Sequence, residues 1–406
     1  MDDPSAFAQS LVRRSYRPRV VVVPDRATDL DWLATGITEE VVNGLSRIAR
    51  FDVMSHHSNV GLSPDSAAAI AEEFDVEHVI VCRVEADASS VAVSIGLHDR
   101  SGVRRDLHGR GPLDGIQSLR DRLVCDVAEL VGYTPVSSFR GNGPVAPHLP
   151  SSTYLAILKA LQALWRFDRA GHEQATAIVD AAVLDHPHCA PALAIRGFLA
   201  ARAFRSGWIA SREDAVALAQ RGCDAARAAP EQDPLTLWTT SLCEAMLFRR
   251  YPEAADLIEL AHVLDPRASH ILTWGSLFLS YNQEFAMGVA YASRSIACSP
   301  RDPMAVTQGF GGALAAVHAQ EFEMALRFCE RVLDRAPRMP NVLRIKAVAC
   351  QQLGRHEDAR AAVAAVRALD PTETIEVVAR VNPLREWGGF QRFLDALRAA
   401  GLPDRL

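Results

Sequence analysis

His186-Pro187-His188-Cys189 places two imidazoles and a thiol within four residues, the donor types that a zinc ion takes. Zinc needs a fourth ligand. None stands at a ligand spacing, and Pro187 closes a helical unit, so the segment reads as a turn between helices. Gly309-Phe310-Gly311-Gly312 has the glycine density of a phosphate-binding loop. Such a loop follows a strand and opens a helix. Here the flanks are helical on both sides, which points to close helix packing. His56-His57 follow a short strand; imidazoles titrate near neutrality, but no carboxylate is paired with them in the sequence, and a solvated loop is expected. Arg13-Arg14-Ser15-Tyr16-Arg17-Pro18-Arg19 carries four arginines suited to phosphates or anionic lipid. The run is short and adjoins an acidic segment, so it reads as a solvated lead-in. No Gly-x-Ser-x-Gly, His-Glu-x-x-His, Walker loop or Cys-x-x-Cys occurs. No catalytic residue, metal or cofactor is expected, and the chain reads as a non-enzyme.

Composition narrows the class further. The chain has 406 residues, 49% hydrophobic and 23% charged, enough to bury the cores of two or three domains. No apolar run approaches the roughly 18 residues of a membrane span. The start, MDDPSAFAQS, lacks the basic and apolar stretches of a secretory leader. A cytoplasmic protein is expected. The net charge of −6 sits in the first 150 residues, which hold 15 arginines against 21 acidic residues; the remainder holds 28 of each sign. A phosphate-backbone binder shows the opposite sign, so direct nucleic-acid binding is not expected. Eight cysteines lie singly in apolar segments and are read as reduced.

The elements fall into two parts. Arg19–Val23 is a β-branched run ended by Pro24-Asp25 and reads as a buried strand. Leu33, Ile37, Val41, Leu45 and Ile48 repeat at helical spacing. Phe51–Met54 is a short strand. Ser63-Pro64-Asp65 opens a helix running to about Phe74. His78–Val84 and Ser90–His98 are strands joined by a turn at Asp87-Ala88-Ser89, followed by a weaker strand at 103–108 and a helix at 113–131. The order β-α-β-α-β-β-β-α predicts an α/β mixed-sheet domain over 18–134, after a lead-in of 1–17. Residues 135–152, rich in proline and glycine near Arg140–Pro150, are the linker.

After Ser151 the strand signals vanish and the text repeats. Units end at Pro187, Pro230, Pro266, Pro300, Pro337 and Pro371, at intervals of 43, 36, 34, 37 and 34. A period near 34 with two helices per unit is the tetratricopeptide pattern, giving an all-α superhelix of about six helix pairs over 153–382. Ala254, Ala325 and Ala359 sit where paired helices touch. The longest interval holds an insertion around Ser206–Ser211. Residues 383–406 form a capping element, with Phe390, Phe393, Leu394 and Leu397 on one face of its helix and Gly401 as its stop. A lone helix pair cannot cover its apolar face, so units stack and leave a concave surface lined by their first helices. Counting back from the unit-end prolines puts Asn341, Arg344, Val348 and Gln351 inward in one unit. The same count gives His270 and Thr273 in another, and Thr236 and Thr239 in a third. These residues are the expected partner-binding groove.

The stretches VVVPDRATDLDWLATGITEEVVNGLSRIARFDVMS (21–55) and DVEHVIVCRVEADASSVAVSIGLHDRSG (75–102) resemble the TolB-like amino-terminal domain of fused bacterial regulators. The resemblance lies in Ala34-Thr35-Gly36 ahead of Thr38-Glu39-Glu40 and in Leu45-Ser46-Arg47. The repeats and the ending Leu397–Pro403 resemble the tetratricopeptide arrays fused to that domain. Relatives commonly carry a class III adenylate cyclase or winged-helix domain at the amino end. With about eighteen residues before the first strand, neither is expected here. Relatives also place an aromatic after the turn at Gly102, where this chain has Val103-Arg104-Arg105. The resemblance implies an auxiliary or sensing half without its output; with two such modules and no catalytic constellation, the chain is expected to be a non-catalytic regulatory protein of bacterial signalling that binds a protein or peptide segment. The alternatives are a sensory part acting in trans with a cyclase or transcription regulator, and a small-molecule sensor using residues 19–131.

Overall fold

The computed structural model describes residues 17–25, 31–48, 51–55, 58, 62, 66–87, 89–100, 104–131, 149–209 and 211–405. The lead-in through Tyr16, His56-His57, Ser63-Pro64-Asp65 and most of the expected linker lie outside them. The chain divides into two compact units. One runs to Thr240 and includes Val263–Ala268; the other comprises Ser241–His262 and Ser269–Leu406.

The first unit is built on a five-stranded sheet of order β2-β1-β3-β4-β5. β1 (Arg19–Pro24) carries four consecutive valines, all buried. A strand covered on both faces wants such a run, and β1 lies parallel between β2 (Asp52–Val53) and β3 (His78–Ala86). β4 (Ser90–Asp99) and β5 (Arg104–Pro112) continue antiparallel. Helices α1 (Asp31–Ser46) and α3 (Ile116–Leu130) cover one face over Val20, Val22, Ile80 and Cys82. Helix α2 (Ala67–Glu73) covers the other over Val21, Val23 and Val79. The element order is the one the sequence predicts. β5 runs four residues past its expected end because β4 pairs with it from Ser90 opposite Pro112 to His98 opposite Arg104.

Helix-pair repeats begin inside the same unit with α4 (Ser151–Leu164), α5 (Arg169–Asp185), α6 (Ala190–Arg205), α7 (Arg212–Ala228) and α8 (Pro234–Cys243). α4 packs on α5 and α6 on α7. A π-turn, Glu244–Phe248, follows α8 and ends at Arg249 with φ 57°. Then come α9 (Tyr251–Leu264), α10 (Ser269–Tyr281), α11 (Phe285–Cys298), α12 (Ala305–His318), α13 (Phe322–Leu333), α14 (Pro340–Gln352), α15 (His356–Leu369), α16 (Ile375–Val381) and α17 (Phe390–Ala399). In the second unit the pairs are α10–α11, α12–α13 and α14–α15, and each first helix also meets the first helix of the next pair. Gly309 and Gly312 lie inside α12. A Cβ on Gly312 would fall 2.6 Å from the Phe328 ring of α13, so this glycine cluster serves close helix packing. The eight cysteines are free. Among the described residues no helix is long and apolar enough to cross a membrane.

The sheet domain and the first repeat helix share one core. Tyr154 and Leu158 of α4 belong to the same buried cluster as Ile37, Val41 and Val124. Gly36 permits the approach, since a Cβ there would stand 3.2 Å from Leu158 Cδ1. Along this seam lies a buried polar network. Arg120 Nη1 donates to Glu40 Oε2 at 2.5 Å, and Tyr154 Oη donates to the same oxygen at 3.3 Å. Gln162 Nε2 donates to Glu39 Oε2 at 3.3 Å, and Ser46 Oγ to Asp265 Oδ1 at 2.7 Å. Burial, then the negative charges of Glu40 and Asp265, push the Glu39 carboxyl up to about 8. Burial also raises Asp265. A carboxyl held above its unfolded value binds its proton more tightly when folded. Its stabilisation is complete below about 4.5 and is lost as pH rises toward 8. Thermal unfolding followed from pH 7 to 8.5, above the range in which the buried His172, His262 and His318 take up protons on unfolding, is expected to show stability falling with pH. Glu39→Gln is expected to flatten much of that slope and to exceed the wild type at pH 8.5 by on the order of a few kcal/mol. Asp265 keeps a residual slope. Equal slopes in the two proteins would remove Glu39 from the account.

Candidate functional site

The site is built at the carboxyl-terminal end of the second unit. Phe390, Phe393, Leu394 and Leu397 follow the i, i+3, i+4, i+7 spacing of one helical face, and all four are buried in α17. The helix stops in a left-handed turn at Gly401, φ 100°. Leu402 N donates to Leu397 O at 3.0 Å and Gly401 N to Arg398 O at 3.0 Å, which satisfies two terminal carbonyls. The tail is fastened to the start of α16, where Ile375 N donates to Pro403 O at 2.9 Å. The turn before α17 supplies Trp387, whose ring centre lies 4.7 Å from Phe285 and 5.1 Å from His318; Phe393 lies 5.2 Å from His318. Aromatic packing of this kind anchors a segment through both area and edge-to-face geometry. Burial, and then the Arg392 cation, push the His318 imidazole down to about 4, so it is neutral at ordinary pH.

Because α17 packs on α14, the segment does not fill the whole face beneath it. A cleft of about 350 Å³ remains. Its walls are Val317 and His318 of α12, Val348, Gln351 and Gln352 of α14, and Trp387, Arg392, Phe393 and Asp395 of the carboxyl-terminal segment, with Phe322 and Gln320 at one side. Val317, Val348 and Gln351 fall on inward positions of the repeat count. The floor is apolar and the rim carries amides and charges. Asp395 is engaged through one oxygen, Oδ1, to which Arg398 Nη1 donates at 2.6 Å and Gln391 Nε2 at 2.8 Å. Arg392 is exposed and has no ion-pair partner among the described residues.

The residues expected to form a groove divide into two groups. Gln351 lines the cleft, and its Oε1 lies 3.0 Å from His356 Nδ1. Asn341 is exposed and accepts from Arg344, which also pairs with the Glu373 carboxylate. Thr236, Thr239, His270 and Thr273 are buried. Thr239 Oγ1 donates to Leu235 O at 2.8 Å, one turn back in its own helix. Thr273 Oγ1 donates to Ser269 O at 2.7 Å and lies 2.8 Å from Ser295 Oγ. The Thr239 and Thr273 hydroxyls are thus engaged by their own helices, while Thr236 Oγ1 is buried with no hydrogen-bond partner among the described residues. Sequence reasoning missed Trp387, Arg392, Phe322 and Gln352. A signal for Trp387 exists in Trp387-Gly388-Gly389-Phe390, an aromatic pair about a double glycine, but nothing local links it to α12, some seventy residues earlier.

His186, Pro187, His188 and Cys189 border a second cleft of about 840 Å³ in the first unit, where His186 Nε2 lies 3.5 Å from Ser152 Oγ. Among the described residues no group of three or more His, Cys, Asp or Glu is arranged to hold a metal ion.

No family model matches the chain, and no curated protein matches it. Solved structures of tetratricopeptide proteins overlap it. MamA is 20% identical over 41% of this chain and 94% of its own, with a TM-score of 0.32. PilF of Pseudomonas aeruginosa is 15% identical over 55% and 93%, TM-score 0.38. YrrB, described as a TPR protein with an unusual peptide-binding site, is 12% identical over 51% and 94%, TM-score 0.32. Overlaps at these scores have no bearing on function. The repeat architecture rests on this chain's own helix pairs and their period.

The geometry separates anchors from free groups. Phe393→Ala is expected to cost about 3 kcal/mol in denaturant unfolding, since it empties a buried aromatic site. Arg392→Ala is expected to stay within about 0.5 kcal/mol. A large loss for Arg392→Ala would mean that the cation is structural.

Proposed function

We propose that the chain is a non-catalytic interaction protein of bacterial signalling, and that the cleft among α12, α14 and α17 receives a segment of a partner protein. The observation that carries this reading is an open cleft with an apolar floor and a rim of glutamine amides and one arginine that makes no ion pair among the described residues. Concave sites with few convergent polar groups are where segments bind. Asn341 and Arg344 extend the same face of α14 and form its outer border. Thr236, Thr239, His270 and Thr273 support their helices and do not touch the partner. The TolB-like resemblance of residues 19–131 favours a second reading, in which the cytoplasmic chain is the sensory part of a cyclase or transcription regulator working in trans.

A photo-crosslinking amino acid in place of Gln352, expressed in the source cells, is expected to trap a defined protein partner. The same amino acid at exposed Glu357, on the neighbouring helix, is expected to trap none. Equal adducts at both positions, or none at 352, would refute the cleft. The purified chain is expected neither to form cyclic AMP nor to shift DNA; activity in either assay would overturn the non-catalytic, non-DNA-binding reading.

A further inference from the structure

We infer that the segment held in this cleft runs through it as extended chain and presents an acidic side chain beside an aliphatic or aromatic one. The inference rests on the partner-binding reading above and specifies the partner's chemistry.

Charge comes first. Of the two charged residues on the cleft wall, Asp395 is already engaged, its Oδ1 accepting from Arg398 and Gln391. Arg392 has no ion-pair partner among the described residues, and the neighbouring imidazole of His318 is neutral. The rim therefore offers one free cation. A guanidinium fork matches a carboxylate bidentately. The floor is the second observation. Trp387 and Phe322 are half-buried and line the cleft with Val348 and Phe393, so apolar area is available one side chain's width from the cation. His318 supports this placement. It is 8% exposed, and its Nε2 has no hydrogen-bond partner among the described residues. The third observation is the pair Gln320 and Gln352. Each lines the cleft, from the end of α12 and the end of α14, and each side chain is exposed. An amide both donates and accepts, which suits a main chain passing between them. A chain end would need several donors around its terminal carboxylate, whereas the cleft has a single cation; an internal acidic residue fits better.

The test pans a random library of blocked, internal-display dodecapeptides against the full chain and against Arg392→Glu. Both proteins are first shown to unfold at the same temperature. The wild type is expected to enrich peptides with Asp or Glu next to a large apolar residue. Their binding should fall about tenfold or more in Arg392→Glu, the scale of losing one charge-assisted pair, and Arg392→Glu should enrich basic residues instead. A Val348→Arg variant, which fills the cleft floor, should abolish binding. Peptides that need Val348 but show no acidic preference, or that bind Arg392→Glu equally, would overturn this inference and leave the cleft as a partner site. Enrichment indifferent to Val348→Arg, or no enrichment, would overturn both.

Discussion

A pair of helices has more apolar face than the two can hide from each other, and the arrangement of this protein follows from that. Within a unit, stacking passes the uncovered face along from pair to pair, and a face left uncovered must be closed by something else. At the amino end, Tyr154 and Leu158 of α4 enter the core of the sheet domain beside Ile37 and Val41. In the second unit, α17 packs on α14 with its Phe393 and Leu397 buried. The candidate site is a consequence of the second closure. A ten-residue helix across wider first helices leaves part of their face uncovered, and that remainder is the cleft.

Much of the fold was legible because it is periodic. Four consecutive valines announce a doubly covered strand, and prolines about 34 residues apart announce helix pairs. The site was legible only in part. Counting positions within a repeat identifies the side of a helix, and two of the counted residues, Val348 and Gln351, line one cleft. It does not distinguish a wet position from a seam. Thr273 and Thr239 sit on that side too, yet each hydroxyl is engaged by its own helix one turn back. A small β-branched alcohol tolerates burial in that way, while a glutamine with its longer reach stays at the rim. Trp387 and Arg392 were invisible for another reason. Their role depends on where α17 lands, and landing is fixed by ring contacts to Phe285 and His318, far away in the chain.

Charge pairing follows the same division between closure and opening. Arg344 is drawn to Glu373, at the turn that leads into α16, and Arg398 holds both Asp395 and Asp404. These pairs tie the carboxyl-terminal segment to itself and to α14, and as largely exposed contacts most contribute little stability each. Their effect is to engage Arg344 and Arg398, so that the cation left without an ion pair at the cleft, among the described residues, is Arg392.

The amino-terminal closure carries a cost that the carboxyl-terminal one avoids. Three carboxyl groups, Glu39, Glu40 and Asp265, lie close together there, with Arg120 engaged by Glu40 and Asp121. Apolar faces alone would seal the end at less expense, since buried ionic groups seldom gain what desolvation takes. What the polar network adds is register. Leucine and valine surfaces tolerate sliding by a fraction of a turn, whereas the bonds from Tyr154 and Arg120 to one oxygen of Glu40, and from Ser46 to Asp265, are all made only when α1, α3, α4 and the Asp265 turn meet at one height and rotation. A protonated Glu39 completes that fit by removing a charge that would oppose it.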